Sequence, residues 1–139
     1  LILNNVIYAN QLYLKKDLEY QATLSIMTRV IDRMEQTEGY VVDQTPVAII
    51  GKLSNSKLSA SRQGFEELEA VGMHGNFSVT YSQTYRNFIN GILGYPALLI
   101  SDREEIARYG ERAEIRAMPA FPDVGSCRVI DGVLFVKLS

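Results

Sequence analysis

The sequence predicts an α/β layered domain: a mixed sheet of about four strands, a long N-terminal helix and a C-terminal β-hairpin. Three observations carry this. Apolar residues recur at three- and four-residue steps through the first quarter of the chain. Two short, unbroken apolar runs follow, at 46–50 and 97–100. The chain closes on two β-rich segments separated by Asp131-Gly132. The 139 residues suit one core, and 47% hydrophobic with 22% charged residues is an ordinary globular balance.

Over residues 5–38, Ala9, Leu12, Tyr13, Tyr20, Leu24, Met27, Val30, Ile31 and Met34 are spaced for one helical face, and Lys15, Asp17, Gln21, Thr28, Asp32, Glu35 and Gln36 for the other. Gly39 supplies the stop. At 1.5 Å per residue such a helix is about 45–50 Å long, so part of it is expected to project beyond the core. Leu14 and Leu18 fall on the polar side. They are either stray surface leucines or a second contact face built for a docking partner. Leu1-Ile2-Leu3 is open to two readings as well, a frayed terminus or the last turn of a membrane span.

The run 46–50 (Pro-Val-Ala-Ile-Ile) reads as a central strand covered on both faces, ended by Gly51. Residues 54–57 read as loop, and 65–71 as a short amphipathic turn or helix closed by Gly72. The state of 76–84 stays open. Residues 85–93 read as a helix with Phe88, Ile89, Ile92 and Leu93 on one side and Gly94 as stop. The run 97–100 is a second buried strand, expected beside the first at the centre of the sheet. Ser101 is then the expected helix cap, in a capping box with Glu104, and that helix runs to about 109–110. A Pro- and Gly-rich loop spans 117–125. The segments 127–130 and 133–136 flank an Asp-Gly turn, the strongest short hairpin signal. Arg128 and Lys137 place the hairpin nearer an edge.

Composition and motifs exclude more than they assign. A net charge of −2, from 14 basic and 16 acidic residues with no basic tract, argues against nucleic acid as a partner. No run approaches the roughly 20 apolar residues of a membrane span. Cys127 and His74 are the sole Cys and His, so no disulfide and no Cys/His metal cluster is expected. Cys127 reads as core filler rather than a nucleophile paired with His74, and His74, between Gly72 and Gly75, reads as a turn residue. Phosphate-binding loops, dinucleotide fingerprints, zinc-protease and serine-hydrolase signatures are absent. Asp17, Glu19, Asp32, Glu35, Glu66, Glu67, Glu104 and Glu105 fall on helical faces, where solvated surface is the default. No catalytic, cofactor-binding or metal-binding residue is therefore assigned.

Two segments remain as candidate binding sites. One is 54–64, where Lys57 and Arg62 follow the first strand in a small-residue loop; ligands dock beyond strand ends in α/β sheets. The other gathers Tyr81, Tyr85, Arg86, Tyr95 and Phe121, since aromatic faces beside an Arg suit sugars. For each of these residues the plainer reading, core packing or a surface ion pair, carries more weight.

The text of the sequence carries a resemblance. The segment Tyr8-Ala9-Asn10-Gln11-Leu12-Tyr13-Leu14-Lys15-Lys16-Asp17-Leu18-Glu19-Tyr20 resembles the C-terminal region of polytopic bacterial glucosyltransferases of the serotype-converting type. Arg29-Val30-Ile31-Asp32-Arg33, Thr45-Pro46-Val47, Tyr85 with Leu93-Gly94-Tyr95-Pro96, Met118-Pro119-Ala120-Phe121-Pro122 and the stretch from Ile130 to Ser139 are similar too, in the order the family shows. Such proteins decorate surface polysaccharide from a lipid-linked glucose donor.

The resemblance implies that residues 1–139 form a single soluble domain, the C-terminal extracytoplasmic part of a larger protein of the bacterial cell membrane. Its catalytic acids would lie in the loops of a preceding transmembrane bundle, so the domain would be accessory and not itself catalytic. That bundle is the expected partner, with a lipid-linked sugar or polysaccharide acceptor as possible ligand. Leu14 and Leu18 would face the bundle or the lipid. The alternative is a free-standing small-ligand or protein-binding α/β module with no sugar chemistry.

Overall fold

The computed structural model describes residues 1–53, 79 and 81–139. Helix α1 spans Ile2–Glu35 in one unbroken run, about 50 Å at 1.5 Å per residue. Strand β1 is Pro46–Ile50. Helix α2, Ser82–Arg86, widens directly into a π-helical segment, Asn87–Ile92, whose wider turn shows in the Leu93 N–H donating to Phe88 O at 2.9 Å. Strand β2 is Leu98–Leu99, α3 is Arg103–Gly110 and α4 is Ala113–Ala117. After a short 3₁₀ turn at Val124–Ser126 come β3, Cys127–Ile130, and β4, Val133–Lys137.

The strands form one mixed sheet in the order β2-β1-β4-β3. β1 runs parallel to both its neighbours, with Val47 opposite Leu99 and Ala48 opposite Phe135, and β3 is antiparallel to β4. The fold is therefore the layered α/β domain that the sequence predicts. The hairpin has the expected register: Ile130 pairs with Val133 across Asp131 and Gly132, which take φ of +52° and +77°. Positive φ at both central residues defines the turn whose twist matches the strands, and Asp-Gly is chemistry that tolerates it.

Alternation along β1 and β4 divides the core in two. Val47, Ile49, Leu134 and Val136 face α1 and the α2–π segment, packing with Ile26, Met27, Val30, Met34, Tyr85, Phe88 and Ile89. Ala48 and Phe135 face α3 and α4, packing with Ile115 and Met118. Tyr109 meets the Phe135 ring edge-on at 5.0 Å.

Four expectations need correction. The 97–100 run is not a central, doubly covered strand: β2 is two residues long and forms an edge, with Leu98 46% exposed. Its outer flank is closed by the Asn90 amide, which donates to Tyr95 O at 2.8 Å and Ala97 O at 2.9 Å. The Leu99 N–H folds back onto Ala97 O, so little of this edge is left to template another strand. β4 of the hairpin takes the inner place beside β1, with Leu134, Phe135 and Val136 fully buried, and β3 forms the other edge of the sheet, as Arg128 led one to expect.

Second, α3 is capped by Asp102 rather than Ser101. Its carboxylate accepts the Glu104 N–H at 2.9 Å and the Glu105 N–H at 3.4 Å. Ser101 is occupied elsewhere, its carbonyl accepting the Ser82 hydroxyl and its own hydroxyl lying 3.4 Å from Arg86 Nη1.

Third, the buried face of α1 is rotated from the predicted one. Met27, Val30 and Met34 are in the core, but Tyr13, Tyr20 and Leu24 are exposed, and Thr23 and Ile26 take their place. Tyr20 reaches only the margin, its ring 5.9 Å from that of Phe88. Fourth, Glu19 is buried, not solvated, because positions 19, 23, 26 and 30 stack on one face; Lys16, one turn earlier, brings its Nζ to 3.6 Å. Helix α4 has no counterpart in the sequence reading.

Candidate functional site

The site with the most chemistry is a crevice of about 480 Å³ at the carboxyl end of β1, where the chain passes Gly51 and Lys52 between the start of α2 and the first turns of α3. Ile49, Ile106 and Ala107 form its apolar floor, and Tyr81, Ser82, Tyr85, Lys52 and Arg103 line its walls. β1 ends here, and the described helices beside it lie on opposite faces of the sheet: α2, which leads into β2, on one and α3 and α4, which lead out of it, on the other. That divergence opens crevices in α/β sheets, because no backbone covers the strand ends between the departing loops.

Each wall residue is held by a local cause. Gly51 has φ +88°, and a Cβ there would lie 2.9 Å from the Ser139 backbone nitrogen, so both conformation and space require glycine. The next residue is pinned by its own N–H, which donates to Ser139 Oγ at 3.1 Å. Tyr85 is 1% exposed, and its hydroxyl points back at Gly51 O, 3.5 Å away. Burial pushes that phenol up to about 12, against a smaller downward pull from the Leu53 backbone. The Arg103 guanidinium lies 4.8 Å from the centre of the Tyr81 ring, a cation–π contact that uses none of its N–H donors.

The structure disperses the sugar-binding candidates. Tyr85 belongs to the crevice, though its ring is core. Arg86 is exposed and lines a separate, more open depression of about 600 Å³ with Asp43, Asn87, Asn90 and Pro96. Tyr95 is half-buried with its hydroxyl 3.3 Å from that of Tyr40; burial, then this contact, raises its phenol. Phe121 is core, its N–H donating to Lys137 O at 2.8 Å and its ring 5.3 Å from the Arg29 guanidinium. Arg62, Lys57, His74 and the whole 54–64 segment lie outside the described residues. Leu14 is 48% exposed and Leu18 half-buried.

Lys52 and Arg103 are the residues that sequence reading passed over. Each follows the end of an apolar strand run by two or three positions, and that placement, combined with the topology, was the available signal. Cys127 is buried in a strand, and burial raises its thiol above the usual range, which suits packing rather than nucleophilic chemistry. Among the described residues no group of three or more potential metal ligands comes together, and no helix is long and apolar enough to cross a membrane. Compared with protein-family models, curated proteins and solved structures, the chain matches none.

Proposed function

We propose that this chain is an accessory extracytoplasmic domain of a membrane-bound glucosyltransferase that modifies surface polysaccharide, held against the transmembrane part through α1. The observation that carries the reading is the bare apolar surface of the first half of that helix. Leu3 is 70% exposed, and Val6, Ile7 and Leu14 are about half exposed. Leu3, Ile7, Leu14 and Leu18 share one face, and Ile2, Val6, Tyr13, Tyr20 and Leu24 run along another. Helix surface this apolar, over more than one face, is ordinarily covered by other helices or by lipid. Tyr8, Tyr13, Lys15 and Lys16 follow the apolar stretch in the order found at a membrane–water boundary. The sugar chemistry rests on the sequence resemblance.

The test uses the complete reading frame in native membranes. A photo-crosslinking residue at Leu3, Ile7 or Leu14 is expected to couple to a transmembrane segment of the same polypeptide or to lipid, and one at the exposed Val124 is not. Exchanging the three α1 residues for Gln is expected to lower glucosylation of the polysaccharide. Equal crosslinking from both places, or full glucosylation with the exchanged helix, overturns the reading. The crevice favours a second reading, a small-ligand module without sugar transfer, and a reading frame without apolar spans of about 20 residues would select it.

A further inference from the structure

We propose that the crevice at the carboxyl end of β1 binds a phosphorylated small molecule, with Lys52 and Arg103 holding the phosphoryl group. The inference does not depend on how the domain is anchored. Three independent features carry it.

The first is charge. The chain has 16 acidic and 14 basic residues, yet among the described residues the crevice is lined by two cations and no carboxylate. Neither cation takes part in any of the ion pairs found among the described residues, which join Lys16 to Glu19, Arg112 to Glu114 and Asp131, and Arg116 to Glu111. Two cations in a concave, partly apolar setting focus a positive potential that a dianion satisfies better than a single carboxylate does.

The second is donor geometry. Arg103 holds its guanidinium 4.8 Å from the centre of the Tyr81 ring, a cation–π contact that uses none of its N–H donors and leaves them for a ligand. The amides at the start of α3 are not the anion site, because the Asp102 carboxylate already occupies those of Glu104 and Glu105. The phosphoryl group is thus held by side chains, and the requirement for both cations follows.

The third is room and position. A cavity of about 480 Å³ exceeds a lone phosphate and accommodates a sugar-sized body beside it. Tyr81, 43% exposed, offers an aromatic surface to such a body, and the crevice sits where α/β sheets place ligands. The same phosphoryl chemistry is presented by a soluble sugar phosphate and by a lipid headgroup, and the experiment separates these sources.

The ¹⁵N-labelled 139-residue chain is titrated at constant ionic strength with inorganic phosphate, glucose 1-phosphate, glucose, and vesicles of phosphatidylcholine with or without phosphatidic acid. Saturable shifts are expected at the amides of Gly51, Lys52, Ser82 and Arg103 with the phosphorylated probes and not with glucose. Saturation by glucose 1-phosphate identifies a soluble ligand, and a response confined to phosphatidic acid vesicles identifies a headgroup. Lys52→Gln and Arg103→Gln are each expected to weaken binding by about tenfold or more, the usual worth of one charged hydrogen bond. Both residues are exposed, so the melting curve is expected to stay put, and Lys52→Arg should retain binding. The absence of saturation with every phosphorylated probe overturns the proposal, as does binding that survives both Gln substitutions. Crosslinking from α1 reports only on anchoring, so failure there leaves this result standing.

Discussion

Residues 2–14 and residues 23–34 belong to the same unbroken helix, and the first stretch is the more apolar of the two, yet only the second is covered. The reason is size. A five-residue strand such as β1 or β4 is about 17 Å long, and it can cover about 18 Å of helix, three turns. The sheet therefore seats Thr23, Ile26, Met27, Val30 and Met34, and the N-terminal half of the 34-residue α1 overruns it. The overrun stays helical as an extension of a helix that the packed half has already nucleated, even though Asn4, Asn5, Val6 and Ile7 are weak helix formers. Helix formation and burial are separate events on this element.

The sharpest way to break that comparison is in the covered half. Met27 is fully buried between α1 and the sheet, so Met27→Ala is expected to cost about 2–5 kcal/mol through lost contacts and the cavity left behind. A thermal melt followed by circular dichroism should fall by roughly ten degrees or more. A loss no larger than that from an exposed position on the first half would erase the distinction between the two halves.

Next in size is an alkaline effect at the crevice wall. The Tyr85 phenol is raised from 10 to about 12 by burial, so the folded state prefers the protonated form. Its contribution is fully present below pH 10 and is lost as pH climbs through about 12, for a total of roughly 2–3 kcal/mol. Wild-type chain should therefore lose stability toward denaturant between pH 10 and 12 more steeply than Tyr85→Phe. Parallel curves for the two proteins would show that the hydroxyl is not buried as described.

The edge of the sheet supplies a smaller effect. Asn90→Ala removes two hydrogen bonds from the Tyr95 and Ala97 carbonyls and is expected to cost about 1–3 kcal/mol. It also bares the outer flank of β2, so light scattering at raised concentration should increase. An unchanged melt together with unchanged scattering would mean that the amide does not guard this edge.

The smallest effect is expected from Leu14→Gln combined with Leu18→Gln in the 139-residue chain. One side chain is exposed and the other half-buried, so the melt should move by about 1 kcal/mol or less. If the chain is anchored as proposed, the same pair in the complete reading frame should lower the yield or activity of the whole protein. A drop of many degrees in the isolated chain would make these residues core and end their use as a docking face.

Much of the architecture was legible because it rests on local rules. Pro46–Ile50 is a strand to the residue, and Asp131-Gly132 turns a hairpin whose register follows from two positive φ angles, while the helix expected to stop at Gly39 already ends at Glu35. The candidate site was far less legible. Tyr81 and Tyr85 are four residues apart and meet at the crevice, whereas Tyr95 and Phe121 came to the same list on residue type alone and lie elsewhere. Lys52 and Arg103 are 51 positions apart, and nothing in either neighbourhood marks the other.

By itself the sequence determined the first helix, the strand at 46–50, the helix after Asp102 and the closing hairpin, since periodicity, capping chemistry and positive-φ residues act within a few positions of one another. The tertiary structure decided which strand is central, which face of α1 is buried and which cations share a crevice. β4, with three fully buried residues, holds the inner place beside β1, and the 97–100 run contributes only a two-residue edge strand. The sheet's position rotated the buried face of α1 onto Glu19, Thr23 and Ile26. Those outcomes depend on what each surface meets across space, and a one-dimensional pattern carries the apolar character of a surface but not the identity of its neighbour.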